Sequence, residues 1–314
     1  MAPSTRSLQI FARVVEDGSF AAAARGLLVD PAAVSRTIKA LEDELGALLF
    51  TRSTRVSKLT TEGERFYRDC RQILQKLDEA TGRFHHEEGV LHGQLRVGLA
   101  PMITRRMVVR ALPSFQGQHP QLEILLLGIY DPAEIANGSI DVLLRPRTMR
   151  QRGGSYRDLQ GLVVRKLIQS NLVLCASPDY LARAGVPRAP SDLINHDCIA
   201  LVTLEHDVHN EWQFVKSGTR QKIKIVPKLL VQGGALREAG VAGCGIIRLL
   251  SCHVQDEFRA GSLVQILADW TCTGGTPIVA LYRKVKPTLP RVSAFVQHLL
   301  EAFAPYNVAS ARPS

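Results

Sequence analysis

Long apolar runs are missing from this chain of 314 residues. Nowhere do about 18 apolar residues follow one another, which excludes a membrane-spanning helix on length alone. The opening MAPSTRSLQIFARVVEDGSF lacks the continuous apolar core of a secretion signal, so a cytoplasmic location is expected. Cysteine is sparse and scattered: Cys70, Cys175, Cys198, Cys244, Cys252 and Cys272 make no C-x-x-C pair and no Cys/His group with zinc spacing. That argues against a disulfide framework and for free, mostly buried thiols. The nine histidines do not fall at ligand spacing, and His85-His86-Glu87-Glu88 reads as the polar end of a helix. No metal and no cofactor are expected. A G-x-S-x-G elbow, a phosphate-binding loop and a Gly-rich dinucleotide turn are all absent from the sequence, so no enzymatic activity is expected.

What remains is ordinary for a globular protein: 46% hydrophobic and 22% charged residues, in a chain long enough for two or more domains. The net charge of +10 is unevenly spread. Residues 1–90 hold 13 Lys/Arg against 13 Asp/Glu, which leaves 26 and 16 of the chain's 39 and 29 to the remainder. The basic surplus therefore lies outside the first 90 residues. It is either a solvated surface or a face that meets something anionic.

Residues 19–63 organise the first part. Ser19 is placed to cap a short Ala-rich helix, and Asp30 followed by Pro31 is a cap with proline at the first helical position. Val34, Ile38, Leu41 and Leu45 then recur at helical spacing, and Gly46 marks a stop. The opposite face carries Ser35, Arg36 and Lys39, the residue types that a helix in a major groove uses. Residues 50–60 place Arg52, Arg55 and Lys58 among β-branched residues, as in a small basic hairpin. An earlier stripe of Leu8, Phe11 and Val15 predicts a scaffold helix over 4–17 with Ser4 as its cap. Thr61 is expected to cap a long helix over about 62–88. There Phe66, Cys70, Ile73, Leu77, Ala80 and Phe84 make a heptad seam, read as a dimer seam with Phe66, Ile73, Leu77 and Phe84 as contacts.

The run AVSRTIKALEDELGALLFTRSTRVSKLTTEG resembles the winged helix-turn-helix of LysR-type transcriptional regulators. The matching features are Phe20, Ala23, Ala24 and Leu27, then Ser35-Arg36-x-Ile38, Leu41-Glu42, Leu45-Gly46, Leu49-Phe50-x-Arg52 and Leu59-Thr60-x-x-Gly63. The resemblance implies that Pro31, Ala32, Ser35 and Arg36 meet bases. Many relatives carry Gln-Pro where this chain has Pro31-Ala32, so contact at that step becomes apolar. The DNA-binding set is then Ser19, Pro31, Ala32, Ser35, Arg36, Lys39, Arg52, Arg55 and Lys58. Dimers, tetramers and contact with RNA polymerase are implied by the resemblance alone.

After GVLHG at 89–93 the pattern changes to short apolar strands alternating with helices, an α/β domain with largely parallel sheets. Strands are expected at 94–99, 122–127, 141–145, 162–168, 172–176, 199–202, 223–226, 246–249, 263–267 and 277–282. Helices are expected at 104–118, 132–137, 178–184, 233–243, 252–259 and 289–304. GQLRVG, IDVLLR, LCASPDYLARAG, SDLINHDCI and AGVAGCGI resemble the family's effector domain, whose fold is similar to periplasmic substrate-binding proteins. The domain plan is a winged helix-turn-helix at 1–61, a dimerisation helix and hinge at 62–93, an effector domain at 94–306 and a disordered tail at 307–314. The effector domain divides into one subdomain of about 94–165 plus 269–304 and a second of about 166–268, with crossings near 165–167 and 266–269.

Ligands bind such folds in the cleft beyond the carboxyl ends of the strands. The effector candidates there are Ala100, Pro101, Met102, Ile103, Ile129, Arg145, Val202, Thr203, Gly233 and Gly234. Arg145 suits a carboxylate through its planar fork, or else holds the lobes together. The basic stretch 145–161 is read as a solvated loop or a cover over the cleft. The expected function is a DNA-binding regulator controlled by a small, anionic effector, with double-stranded DNA, the effector and a second copy of the chain as partners and no membrane. Two alternatives stand beside it: a thiol redox sensor on the same scaffold, through Cys198, and a cytoplasmic solute-binding module without DNA binding.

Overall fold

The structure, a computed structural model, describes residues 3–27, 29–51, 58–82, 90–100, 104–129, 131–147, 161–202, 206–285 and 288–307. The chain forms two compact units, Met1–Leu91 with Ala133–Ile140, and His92–Pro132 with Asp141–Ser314.

The first unit opens with α1 (Thr5–Asp17), whose amide at Ser7 donates to the Ser4 hydroxyl at 3.1 Å. Then comes α2 (Phe20–Leu27), capped by Ser19, whose Oγ accepts from the Ala22 amide at 3.1 Å. Asp30 caps α3 (Pro31–Leu45) by accepting from the Ala32 amide at 3.0 Å, with Pro31 at the first helical position and Gly46 in the left-handed conformation at the end. The predicted stripe is real: Val34, Ile38 and Leu41 are buried with Phe11, Ala23, Ala24, Leu49, Phe50 and Cys70. Phe11 is central, its ring centroid 5.6 Å from Phe50, 5.4 Å from Phe66 and 6.3 Å from Tyr67.

Chain leaving α3 returns as a narrow hairpin. Phe50 and Leu59 pair as an antiparallel bridge, and the Thr51 amide donates to the Lys58 carbonyl at 2.8 Å. Glu42 fixes its base: Oε1 accepts from the amides of Leu49 at 2.7 Å and Phe50 at 3.1 Å. The long helix α4 follows (Thr61–Gly82). Its cap is Thr60 and not Thr61, since Thr60 Oγ1 accepts from the Gly63 amide at 2.9 Å while Thr61 is already helical. Gly63 lies against the hairpin base; a Cβ there would stand 2.1 Å from the Leu49 carbonyl oxygen. The short helix α6 (Ala133–Ala136) groups with this unit. Arg71 of α4 donates to the Gly138 carbonyl at 2.9 Å and pairs with Glu16.

In the second unit β1 (Gly93–Leu99) leads through α5 (Thr104–Gln118) to β2 (Leu122–Leu127), and β3 (Val142–Pro146) follows. β1 pairs in parallel with both β2 and β3. Phe115 of α5 packs on Phe295 of α10 (Pro290–Phe303) with centroids 5.2 Å apart. The expectation of largely parallel sheets is overturned by two long strands, β4 (Leu162–Ala176) and β11 (Thr271–Arg283). The stretches 162–168 and 172–176 are one strand. Ser170 and Asn171 do not break it, because the buried Ser170 hydroxyl accepts from the Cys252 amide at 3.2 Å. Along most of their length β4 and β11 pair antiparallel with each other. The carboxyl end of β11 lies between β3 and the amino end of β4, and the other ends of both strands reach the second lobe.

That lobe adds α7 (Pro178–Ala184), β5 (Cys198–Leu201), β6 (Glu211–Lys216), β7 (Thr219–Lys224), β8 (Pro227–Val231), α8 (Ala235–Val241), β9 (Ile247–Leu250), α9 (Gln255–Arg259) and β10 (Val264–Ile266). β9 and β10 flank β4, both antiparallel, while β5 and β8 form a separate parallel pair. Strand alternation sends Leu174 and Ala176 into a core with Tyr180, Trp212 and Phe214, and Cys175 into another with Ile199, Leu236 and Ile247. The hairpin β6–β7 is unpredicted; Ser217 and Gly218 turn it with φ of 49° and 81°. The register of β11 on β4 shifts between Ile278 and Val279 and again between Cys272 and Thr276. Gly275 lets the strands meet there, since a Cβ would lie 2.8 Å from the Ser170 carbonyl oxygen. At the carboxyl end Asn307 is docked, its side-chain oxygen accepting from the Gln169 amide at 2.9 Å. The rest of the expected tail, residues 308–314, lies outside the described residues.

Gly63→Ala should cost about 1–3 kcal/mol through the backbone clash, and Glu42→Ala about 1–3 kcal/mol by stranding two amides. Native-state hydrogen exchange checks both: amides of α1, α3 and α4 should exchange roughly ten- to a hundredfold faster. Unchanged exchange in those helices would contradict the clash and the amide capture.

Candidate functional site

The two faces of α3 differ sharply. Val34, Ile38 and Leu41 are buried, while Pro31, Ala32, Ser35, Arg36 and Lys39 are all exposed on the other side. Neither Arg36 nor Lys39 makes an ion pair among the described residues, so both cations face solvent. Ser19 is half-buried and engaged as the cap of α2. Lys58 is exposed beside the hairpin base. Arg52 and Arg55 lie outside the described residues.

The heptad seam divides. Phe66 and Cys70 turn inward: Phe66 packs on Phe11, and the Cys70 thiol, fully buried, donates to the Leu8 carbonyl at 3.3 Å. Ile73 and Leu77 are exposed, at 50% and 40%. Phe84 and the His85-His86 pair lie outside the described residues. Phe66 therefore belongs to its own domain's core, and the exposed part of the stripe begins at Ile73.

In the second unit the parallel strands β1, β2 and β3 end together, which groups Ala100, Ile129 and Arg145 at one edge of the sheet. The Ala100 amide donates to the Leu144 carbonyl at 3.0 Å. Arg145 is 7% exposed. Burial pushes its pKa down, opposed by the charge of Asp131. Val202 follows β5, its amide donating to the Val231 carbonyl at 2.8 Å, and Gly233 and Gly234 lie between β8 and α8. Pro101, Met102, Ile103, Thr203 and the basic stretch 148–160 lie outside the described residues.

A small recess of about 30 Å³ lies where α5 faces α8 and α9. Of the residues chosen from sequence, Gly234 borders it. The others on its wall were missed: Arg106 and Arg110 from α5, Arg237 from α8, and His253 and Asp256 beyond β9. A signal was present, since Arg106 and Arg110 stand one helical turn apart, as do Asp256 and Arg259 to within a residue. Arg106 pairs with Glu257, Arg110 with Asp256, and Arg237 with Glu238, so α5 of one lobe is tied to α9 of the other. Arg106 is held above the ordinary arginine value, chiefly by its hydrogen bond with Glu257. His253 is 7% exposed, and both of its ring nitrogens lack a hydrogen-bond partner among the described residues. Burial, helped by Arg237, pushes its pKa down to about 3.

Among the described residues there is no group of three or more His, Cys, Asp or Glu able to hold a metal, and no helix is long and apolar enough to cross a membrane. Five of the six cysteines are buried and Cys244 is exposed. Burial pushes the Cys198 thiol up to about 12, as it does Cys70 and Cys272, and Cys252 to about 11.

Residues 5–64 match the family described as bacterial regulatory helix-turn-helix protein, lysR family, and residues 88–304 match the LysR substrate binding domain. The chain is 31% identical over 302 residues to the HTH-type transcriptional regulator CrgA of Neisseria meningitidis, covering 96% of this chain and 97% of CrgA. It is 30% identical over 309 residues to the HTH-type transcriptional activator AaeR of Escherichia coli, covering 95% and 93%. The solved structure of CrgA superposes with a TM-score of 0.60 at 29% identity, over 97% of this chain and all of the other. The full-length virulence activator AphB of Vibrio cholerae gives a TM-score of 0.56 at 26% identity, over 95% and 99%.

Raised thiol pKa values favour the protonated, unreactive form at neutral pH. Reaction of the native protein with a disulfide reagent should therefore label Cys244 first, and the five buried thiols only on unfolding. Rapid labelling of Cys198 in the folded protein would restore the redox-sensor alternative.

Proposed function

The chain belongs to the LysR-type family of transcriptional regulators, and on that premise we propose how its residues divide the work. It is a DNA-binding regulator, with a helix-turn-helix at its amino end and an effector-binding domain after it. Our reading of the first part places α3 in a major groove, with Pro31, Ala32, Ser35 and Arg36 toward bases and Lys39 toward phosphate. The observation that carries this is the exposure of all five on the face opposite the buried stripe. Ala32 offers only a methyl group, which suits a thymine methyl. Ser19 holds α2 in register, and the hairpin cations Arg52, Arg55 and Lys58 run along the backbone. Because residues 1–90 are neutral overall, affinity rests on these few placed cations and on doubling them in a dimer.

The dimer is formed through Ile73 and Leu77 of α4, with Phe84 as a further contact of the seam. Two half-sites are then read together at a spacing set by the pair. An anionic effector binds in the cleft beyond the strands, between the Ala100–Ile103, Ile129 and Arg145 edge and the Val202, Thr203, Gly233 and Gly234 edge. Burial of Arg145 beside Asp131 fits a residue that holds this edge in shape. Effector binding changes the closure of the two lobes, and with it the spacing of paired dimers on DNA or their contact with RNA polymerase. The proposed domain limits are 1–61, 62–93 and 94–306. The protein works in the cytoplasm, without catalysis.

Gel retardation on the DNA flanking its own gene tests the reading. Arg36→Ala should weaken binding roughly tenfold and lower the salt slope by about one phosphate. No salt-sensitive retardation by the wild type would sink the proposal. For the dimer, Ile73→Asp with Leu77→Asp should halve the particle mass in light scattering and depress DNA affinity at a given protein concentration. A variant that stays dimeric would place the seam elsewhere.

A further inference from the structure

β9 takes one edge of β4 over Leu172–Cys175, so β10 and β11, which overlap that span, share the other edge. There they run as one interrupted strand: Ile266 pairs with Leu174, and Cys272 with Leu172. On β4 Val173 alone separates the two pairings, whereas residues 267–271 separate them on the facing segment. The surplus leaves the sheet as a loop. Leu267 turns it out with a φ of 49°, a left-handed conformation that leucine rarely adopts. The Trp270 amide donates to the Leu267 carbonyl at 2.9 Å and closes the turn. Lys216 of the β6–β7 hairpin pairs with Asp269, and its Nζ stands 5.6 Å from the centre of the Trp270 ring, which pins the loop.

Beside the loop lies a cavity of about 280 Å³. Leu172, Leu174, Ile266, Leu267 and Trp270 make its apolar wall. Among the described residues no Asp, Glu, Lys, Arg or His borders it. A charged ligand would therefore give up its water with no counter-charge in return. An apolar cavity of about 150 Å³ takes benzene, so this one has room for two fused rings. Its polar groups are few. The Ser251 hydroxyl is engaged with the Ser170 hydroxyl at 3.2 Å. The carboxamides of Asn171 and Gln265 and the indole N–H of Trp270 have no hydrogen-bond partner among the described residues.

We propose that this cavity is a ligand site apart from the cleft, for an uncharged two-ring aromatic molecule carrying one carbonyl or hydroxyl oxygen. Its rings lie against Trp270 and the leucines, and its oxygen accepts from the indole N–H or a carboxamide. None of the residues proposed for the effector cleft borders the cavity, so the site stands independently of that reading. The occupant spans the break between β10 and β11 and braces the loop on β4.

Isothermal titration calorimetry of the full-length protein at neutral pH tests this with two matched pairs: coumarin against coumarin-3-carboxylate, and 2-naphthol against 2-naphthoate. At least one neutral compound should bind saturably with a Kd of about 1 mM or tighter, and its carboxylate roughly tenfold more weakly. Gln265 and Ala268 border the cavity and are exposed, so substitutions there spare the fold. Gln265→Glu sets a charge on the wall and Ala268→Trp fills the space; each should weaken binding about tenfold or more, with Tm within about 2 °C of wild type. Tryptophan emission reads the site directly. The bound aromatic should quench the wild type, and Trp270→Phe, which leaves Trp212 as the remaining tryptophan, should lose most of that quench. The proposal is overturned if neither neutral compound binds saturably, or if each carboxylate binds as tightly as its neutral partner. It is also overturned if Gln265→Glu or Ala268→Trp binds as the wild type does, or if the quench persists in Trp270→Phe.

Discussion

The antiparallel pairing of β4 with β11 is the constraint on which the effector domain depends. Each strand begins in one lobe and ends in the other, so the same backbone ladder is part of both cores. Two lobes joined by loops would be free to separate, whereas two lobes sharing paired strands move only by bending where the ladder is weakest. That place is marked by the register shift between Cys272 and Thr276 and by Gly275, where the strands approach too closely for a side chain. The buried Ser170 hydroxyl keeps the other strand continuous at the same level by meeting the Cys252 amide. A small polar residue inside an apolar strand thus has a partner, and the strand runs through where an isolated serine would have interrupted it.

That feature explains much of what sequence did and did not disclose. Helix ends were legible because caps are local: Ser4, Ser19, Asp30 and Gly46 each act within a few residues of their own position. The cap on α4 was misplaced by one because Thr60 and Thr61 are chemically alike and the choice is made by geometry at the hairpin base. Strand joins were not legible. Ser170-Asn171 and Gly274-Gly275 carry the composition of turns, yet both strands run on through them. The β6–β7 hairpin had a signal in Ser217-Gly218 between alternating apolar residues, but serine at positive φ is a weak one. The heptad on α4 was periodic as read, yet period alone does not say which partner is met. Phe66 and Cys70 meet α1, and Ile73 is left exposed.

Charge gave the weakest guidance of all. A net +10 with a neutral first 90 residues means that the total says nothing about the reading face. Position does: Asp30, Glu42 and Asp17 are all engaged locally, in a cap, at two amides and with Arg13, while Arg36 and Lys39 face outward without a carboxylate among the described residues. Neutrality is then compatible with a cationic face, because several of the compensating acids are taken up in structure.

The recess at α5 follows a different logic from the one by which site residues were sought. Strand ends in an α/β fold are where ligands are expected, and Ala100, Ile129 and Arg145 do gather there. Yet the backbone at that edge is already occupied, with the Ala100 amide on Leu144 and Arg145 almost fully buried. Across from α5, by contrast, the side chains are charged, partly exposed and paired between lobes. Surface ion pairs contribute little to stability, so a cluster of three arginines and three carboxylates is poor evidence for a purely structural brace. A buried imidazole with two unmet nitrogens is worse than useless to such a brace, since it carries a desolvation penalty with no compensating bond.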